Sequence, residues 1–210
     1  MRRDLLKAAE REFFAMYPGG FSDPEMEEIK KKHRIKKMHD QTCEYFGKSQ
    51  FSDIEETTEN IVRIVTRSSL VSVFEKTKFR DFARALSLDD KRDLTQGLKQ
   101  MLHGNKEKGF EEMTSLLSKG KLAKWPIVSV IPYYFKPQEE VLIKPTTVKG
   151  IIKTFELEGL KYHPYPTYEF YMAYKERLKE MQKVVDKSLS EDNAAFSGFL
   201  MMMMDSNRGK

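Results

Sequence analysis

The chain has 210 residues, 40% hydrophobic and 33% charged, and its 37 basic against 32 acidic side chains leave a net charge of +5. A chain of this length can bury about 70% of its unfolded surface, so a sizeable core needs no staples, and the composition is too apolar and too poor in Gly and Pro for a disordered or collagen-like chain. The single cysteine, Cys43, excludes an intramolecular disulfide and any multi-cysteine zinc site, and it points to a reducing compartment.

Residues 2–17 place Leu5, Leu6, Ala9, Phe13 and Met16 at helical spacing, while Asp4, Lys7 and Glu10 interrupt the apolar run that an export signal needs. After Pro18-Gly19-Gly20, Ser22 with Glu25 forms a capping box and Pro24 suits a first helical turn, which predicts a second helix to about Phe46. Its opening carries Asp23, Glu25, Glu27 and Glu28, and its middle carries Lys30, Lys31, Lys32, Arg34, Lys36 and Lys37, an order that suits the helix dipole. Ser52 with Glu55 opens a helix through Ile61 and Val65. The stretch 61–74 is β-branched enough for two strands about a Ser68-Ser69 turn. The stripe Ile61, Val65, Leu70, Phe74 and Phe82 nevertheless continues at helical spacing to Leu86 with no Gly, Pro or Asn, and this favours helix. Ser87 with Asp90 begins a helix closed by Gly104, and Glu107–Ser118 forms another closed by Gly120.

Composition shifts at 121–126, where a subdivision of the chain stays open. Pro126, Pro132 and Pro137 predict a short, proline-bent helix followed by an extended piece, Val141–Ile143. Thr146 or Thr147 is expected to cap a helix over 148–155, and Leu160–His163 is a second extended piece that would pair with the first as a two-stranded ribbon within 141–163. The longest helix is expected over Thr167–Ser188, and a last short one carries Phe196, Phe199 and Leu200. The expected fold is therefore mainly α: a single-core bundle of seven to nine helices over residues 1–200, with a flexible tail at 201–210. No run approaches the roughly 18 apolar residues of a membrane span, so the expectation is a cytoplasmic protein with no membrane partner.

Three sets of residues offer chemistry. The basic cluster Lys30, Lys31, Arg34, Lys36 and Lys37, with Arg63 and Arg67 further on, would displace counterions from a polyanion, which makes nucleic acid or an acidic protein the candidate partner. The same charge order also suits a solvated helix face. A helix start with Lys144, Thr146, Thr147 and Lys149, joined by His163, offers amides, hydroxyls and cations to a small anion. Phe196, Phe199 and Met201–Met204 could instead pair two copies of the chain. Catalysis has little to work with. The four histidines, His33, His39, His103 and His163, are scattered, and no nucleophile elbow, phosphate loop, dinucleotide fingerprint or zinc-protease motif is present. His39 and Cys43, at i and i+4, supply two ligands where zinc needs at least three, so no metal and no cofactor are expected.

Several short segments recur in a fixed order: Tyr17-Pro18-Gly19-Gly20-Phe21 with Asp23-Pro24, Phe74-Glu75-Lys76, Leu102-His103-Gly104, Lys124-Trp125-Pro126-Ile127-Val128, Lys144-Pro145, and Pro166-Thr167-Tyr168 before a long helix. In that order the chain resembles an uncharacterised bacterial family of helical proteins of about this length. The resemblance implies one helical unit with no assigned activity and no catalytic residues. The family's end carries a tryptophan, whereas this chain has Phe196-Ser197-Gly198-Phe199.

Overall fold

The computed structural model describes residues 1–26 and 34–206, with side chains through Met204. The described residues form ten α-helices: α1 (Arg3–Met16), α2 (Ile35–Tyr45), α3 (Ile54–Arg67), α4 (Val73–Ala85), α5 (Leu88–His103), α6 (Lys106–Lys119), α7 (Trp125–Phe135), α8 (Pro145–Thr154), α9 (Tyr168–Gln182) and α10 (Asn193–Ser206), with 3-10 turns at Gly20–Ser22 and Lys187–Leu189. The all-helical class is as expected, and the buried apolar side chains form one continuous cluster. The count of seven to nine is too low, and the reasons lie in two backbone breaks.

The first break is at Arg34. Its φ of 48° is left-handed, so no regular helix runs from residue 23 to 46. The second is at 68–72, where Ser68 turns the chain extended (ψ 128°). Ser72 then starts α4 with a complete capping box, its hydroxyl accepting from the Glu75 amide while the Glu75 carboxylate accepts from the Ser72 amide. Serines can end and restart a helix as well as glycine does, because their side chains satisfy the freed backbone groups. The break rotates α4, so Phe74, placed inward by a continuous helical stripe, is 83% exposed.

At the centre lies α7, buried at every residue from Trp125 to Tyr134 and packed by α2, α3, α5 and α6. A helix apolar on all sides is stable only when surrounded. Pro126 falls in its first turn, where no amide is needed, and Pro132 sits inside it. Trp125 Nε1 donates to the His163 carbonyl at 2.7 Å, and its ring meets Phe110 and Phe170.

The predicted ribbon is absent among the described residues, because side chains meet the backbone groups a partner strand would have met. The Tyr171 hydroxyl faces both the amide and the carbonyl of Val141 at 3.3 Å, and Ser129 Oγ accepts from the Ile143 amide at 3.1 Å. Caps also differ from expectation. Asp53 rather than Ser52 caps α3, and α8 starts from Lys144 with Pro145 in its first turn and no side-chain cap from either threonine.

The closest helix pair, α5 and α6, crosses at two glycines. A Cβ on Gly109 would stand 2.5 Å from both the Gly97 carbonyl oxygen and the Met101 amide nitrogen. Backbone cannot yield as a side chain can, so Gly109→Ala is expected to lower the thermal midpoint, with a loss of about 1–3 kcal/mol as for other overpacked sites. Gly198, inside α10, has nothing within 4 Å of a built Cβ. Gly198→Ala should raise stability by about 0.5–1 kcal/mol in the same calorimetric scan.

The first and last described helices pack together. α10 packs on α1 and α8, with the Phe199 ring 5.4 Å from that of Phe13 and Met204 against Gly150. Phe196, Phe199 and Leu200 are fully buried, Met203 and Met204 nearly so, and the helix runs through Met201–Met204 to Ser206. The side chains that would have paired two copies are therefore mostly spent inside the molecule.

Candidate functional site

The α3–α4 hairpin carries Arg63 and Arg67 of the predicted basic cluster. Arg84 forms a bidentate pair with Glu59 at 2.9 Å through both contacts, and Lys91 of α5 extends the same edge to Glu55 at 2.8 Å. The carboxylates of Glu59 and Glu55 are thus drawn to the end of the hairpin away from the 68–72 turn. Arg67 is the last residue of α3, and Phe74 and Lys76 lie in the first turns of α4 on the other side of the 68–72 turn. Residues 61–80 hold Arg63, Arg67, Lys76, Lys78 and Arg80 against a single acid, Glu75, whose carboxylate is engaged in the cap. Arg63 donates to the Asn60 side chain and Arg80 pairs with Asp81. Arg67, Lys76 and Lys78 enter no ion pair among the described residues, and Val73 and Phe74 in the first turn of α4 are 73% and 83% exposed.

Helix α2 reaches this tip through Tyr134. His39 Nδ1 donates to the Tyr134 carbonyl at 2.7 Å, and the Tyr134 hydroxyl meets Ser68 Oγ at 2.8 Å. The middle of α2 and the end of α3 are therefore one tyrosine apart. Burial pushes the Tyr134 phenol up to about 12, so the hydroxyl stays protonated and the tie persists across the physiological range. Lys36 lies one turn before His39 on the same side of α2, and Arg67 adjoins Ser68. Arg34, Lys36 and Lys37 are exposed. Lys30 and Lys31, the other residues of the predicted cluster, lie outside the described residues, as does His33.

The remaining candidates divide. In the predicted anion site, Lys144, Thr146, Thr147 and Lys149 open α8, and Lys149 Nζ stands 5.2 Å over the Tyr162 ring, next in sequence to His163. No threonine side chain points its oxygen to the helix amides there. His39 and Cys43 touch, with Sγ 3.7 Å from Nδ1, yet no group of three metal-ligating side chains occurs among the described residues. Burial, with the Asp40 charge, raises the Cys43 thiol above its ordinary range, so it is a poor nucleophile. His103 donates from Nε2 to the Phe46 carbonyl at 2.7 Å and stacks edge-on against Phe135, so it fastens α5 to the end of α2.

One polar cluster was not foreseen. Glu140, 5% exposed, receives Lys106 Nζ at 2.6 Å, the Tyr171 hydroxyl at 2.8 Å and Lys175 Nζ at 3.1 Å, while the Asn193 amide group donates to its carbonyl at 3.0 Å. It ties α6, the loop before α8, α9 and the start of α10. Burial raises the carboxyl, but the Lys106 hydrogen bond, the Lys175 charge and the Tyr171 hydroxyl outweigh it and hold Glu140 below the usual range. Burial lowers Lys175, only partly offset by Glu140. A groove of about 430 Å³ runs nearby past Phe110, Tyr165 and Tyr168, but none of Glu140, Tyr171 and Lys175 lines it. The cluster is a clamp inside the fold that joins four segments. Glu140 sits in Gln138-Glu139-Glu140, which reads as an exposed turn, and only a lysine on the apolar side of α9 hints at its partner.

No family model, no curated protein and no solved structure matches the chain. What the protein does has to be read from its surface chemistry.

Proposed function

We propose that the chain is a binding protein rather than an enzyme, acting in the cytoplasm through a basic face built from the start of α2 and the turn end of the α3–α4 hairpin, with a polyanion such as nucleic acid as its partner. The observation that supports this is Tyr134, whose carbonyl accepts from His39 and whose hydroxyl meets Ser68, so that the α2 turn after Lys36 and the residue after Arg67 are tied to one side chain. The hairpin register supports it, since the Glu59–Arg84 and Glu55–Lys91 pairs leave the turn end with cations in excess. A surface rich in one sign of charge raises the local concentration of the opposite sign and speeds encounter even when net charge is modest. Kinship with an uncharacterised bacterial family of helical proteins belongs to the same proposal and adds no activity to it. No described helix is long and apolar enough to cross a membrane.

If Arg34, Lys36, Lys37, Arg63 and Arg67 each neutralise one phosphate, affinity for a single strand falls about 100-fold between about 50 and 200 mM salt. Fluorescence titration with DNA and RNA at those two concentrations checks this. Absence of binding at the lower salt would remove the proposal.

A further inference from the structure

The basic face contains a feature that charge alone does not require. Val73 and Phe74, in the first turn of α4, are the most exposed large hydrophobic residues among the described residues, and Lys78 lies one turn after Phe74 on the same side of that helix. Phe74 is held there by a rigid support. The Ser72–Glu75 capping box fixes the first turn of α4, and Ser68, which ends α3, is buried and tied to Tyr134. A phenyl ring left in water costs free energy unless a partner covers it, and a cationic surround selects an anionic partner.

A duplex presents phosphates and groove edges to a convex tip and keeps the faces of its bases stacked away. A single strand presents phosphates and free base faces together, at the spacing of a basic residue beside an aromatic one. Stacking of a base on an aromatic ring tolerates any sequence because every base has a π face. We infer that the partner is single-stranded nucleic acid, with Phe74 the platform on which one base stacks and Arg67 and Lys78 the contacts to the flanking phosphates. Val73 packs beside the ring against the sugar edge. This rests on the polyanion reading of the face and adds which form of polyanion it takes.

The test uses the full chain and a fluorescein-labelled oligothymidylate of about 15 nucleotides, a duplex of the same length, and vesicles of phosphatidylcholine with and without phosphatidylserine. Phe74 is exposed, so its replacement leaves the core intact, and circular dichroism of each variant checks that. The expected result is tighter binding of the single strand than of the duplex. Phe74→Ala should weaken single-strand binding roughly 5- to 150-fold and leave duplex binding and its salt dependence unchanged. Phe74→Trp should retain affinity, and its added indole emission should be quenched by oligothymidylate. Equal binding of both forms with no effect of Phe74→Ala overturns the stacking inference and leaves the basic face standing. Binding to phosphatidylserine vesicles that Phe74→Ala abolishes, without single-strand binding, overturns it in favour of a lipid surface. No salt-dependent binding to any polyanion overturns both.

Discussion

Glu140→Ala is expected to destabilise the fold by about 3–5 kcal/mol, the largest effect of any single substitution considered for this chain. The loss comes less from the ion pairs themselves than from what remains. Lys175 is 6% exposed, and without Glu140 its buried ammonium has no counter-charge at 3.1 Å. The Asn193 side chain keeps its bond to the residue 140 carbonyl, so the loss isolates the carboxylate. Two controls separate this from ordinary packing. Glu140→Leu with Lys175→Met, which removes both charges and keeps volume, should recover most of the loss in a urea titration. The deficit of Glu140→Ala should also shrink as pH rises. With Lys175 depressed in the folded state, the unfolded chain binds the extra proton, so stability climbs with pH toward the ordinary lysine value. In the unsubstituted protein stability also rises with pH on the acid side. Glu140 lies below its ordinary value when folded, so its contribution is full above the unfolded carboxyl value near 4.5 and is lost as pH falls through the lower folded one.

Lys36→Glu with Arg67→Glu carries the second large effect, this time on binding. Each phosphate contact to a single strand contributes about fivefold at about 0.1 M salt through counterion release, so losing two costs about 25-fold, and the introduced carboxylates repel the partner further. Both side chains are exposed and enter no ion pair among the described residues, so thermal stability should stay within about 0.5 kcal/mol of the parent. Reversing Lys119 is the matching control. It is exposed and paired with Asp90 at 2.6 Å, and it stands at the end of α6 rather than on the hairpin turn, so Lys119→Glu should leave binding within a small factor.

Much of the fold was legible because its signals are local. Ser87 with Asp90, Gly104 and Gly120 marked helix ends that the backbone obeys, and the prolines of 126–137 marked a short helix that the structure places at Trp125–Phe135. The failures share a cause, which is that side chains far apart in sequence supply groups a local reading assigns to backbone. The ribbon over 141–163 looked plausible from β-branched residues, yet Tyr171 and Ser129 meet its hydrogen-bonding groups. The stripe from Ile61 to Leu86 looked continuous because serine does not announce a break as glycine does, and only the capping box at Ser72 and Glu75 carries the signal. For the site, Arg34, Lys36, Lys37, Arg63 and Arg67 were legible as a charge pattern. Phe74 was not, since a residue two positions past a hidden break appears to face inward. Glu140 was invisible for a different reason, because nothing local distinguishes a carboxylate that will meet Lys106 and Lys175 from one in a solvated turn.

The most direct measurement is the slope of log affinity against log salt for a single-stranded oligonucleotide, taken on the unsubstituted chain and on Lys36→Glu with Arg67→Glu. A face that engages five phosphates gives about −3.5, and the double variant should be shallower by about 1.4. A slope near zero for the parent, or the same slope for both proteins, would contradict the claim that these residues form one polyanion-binding face.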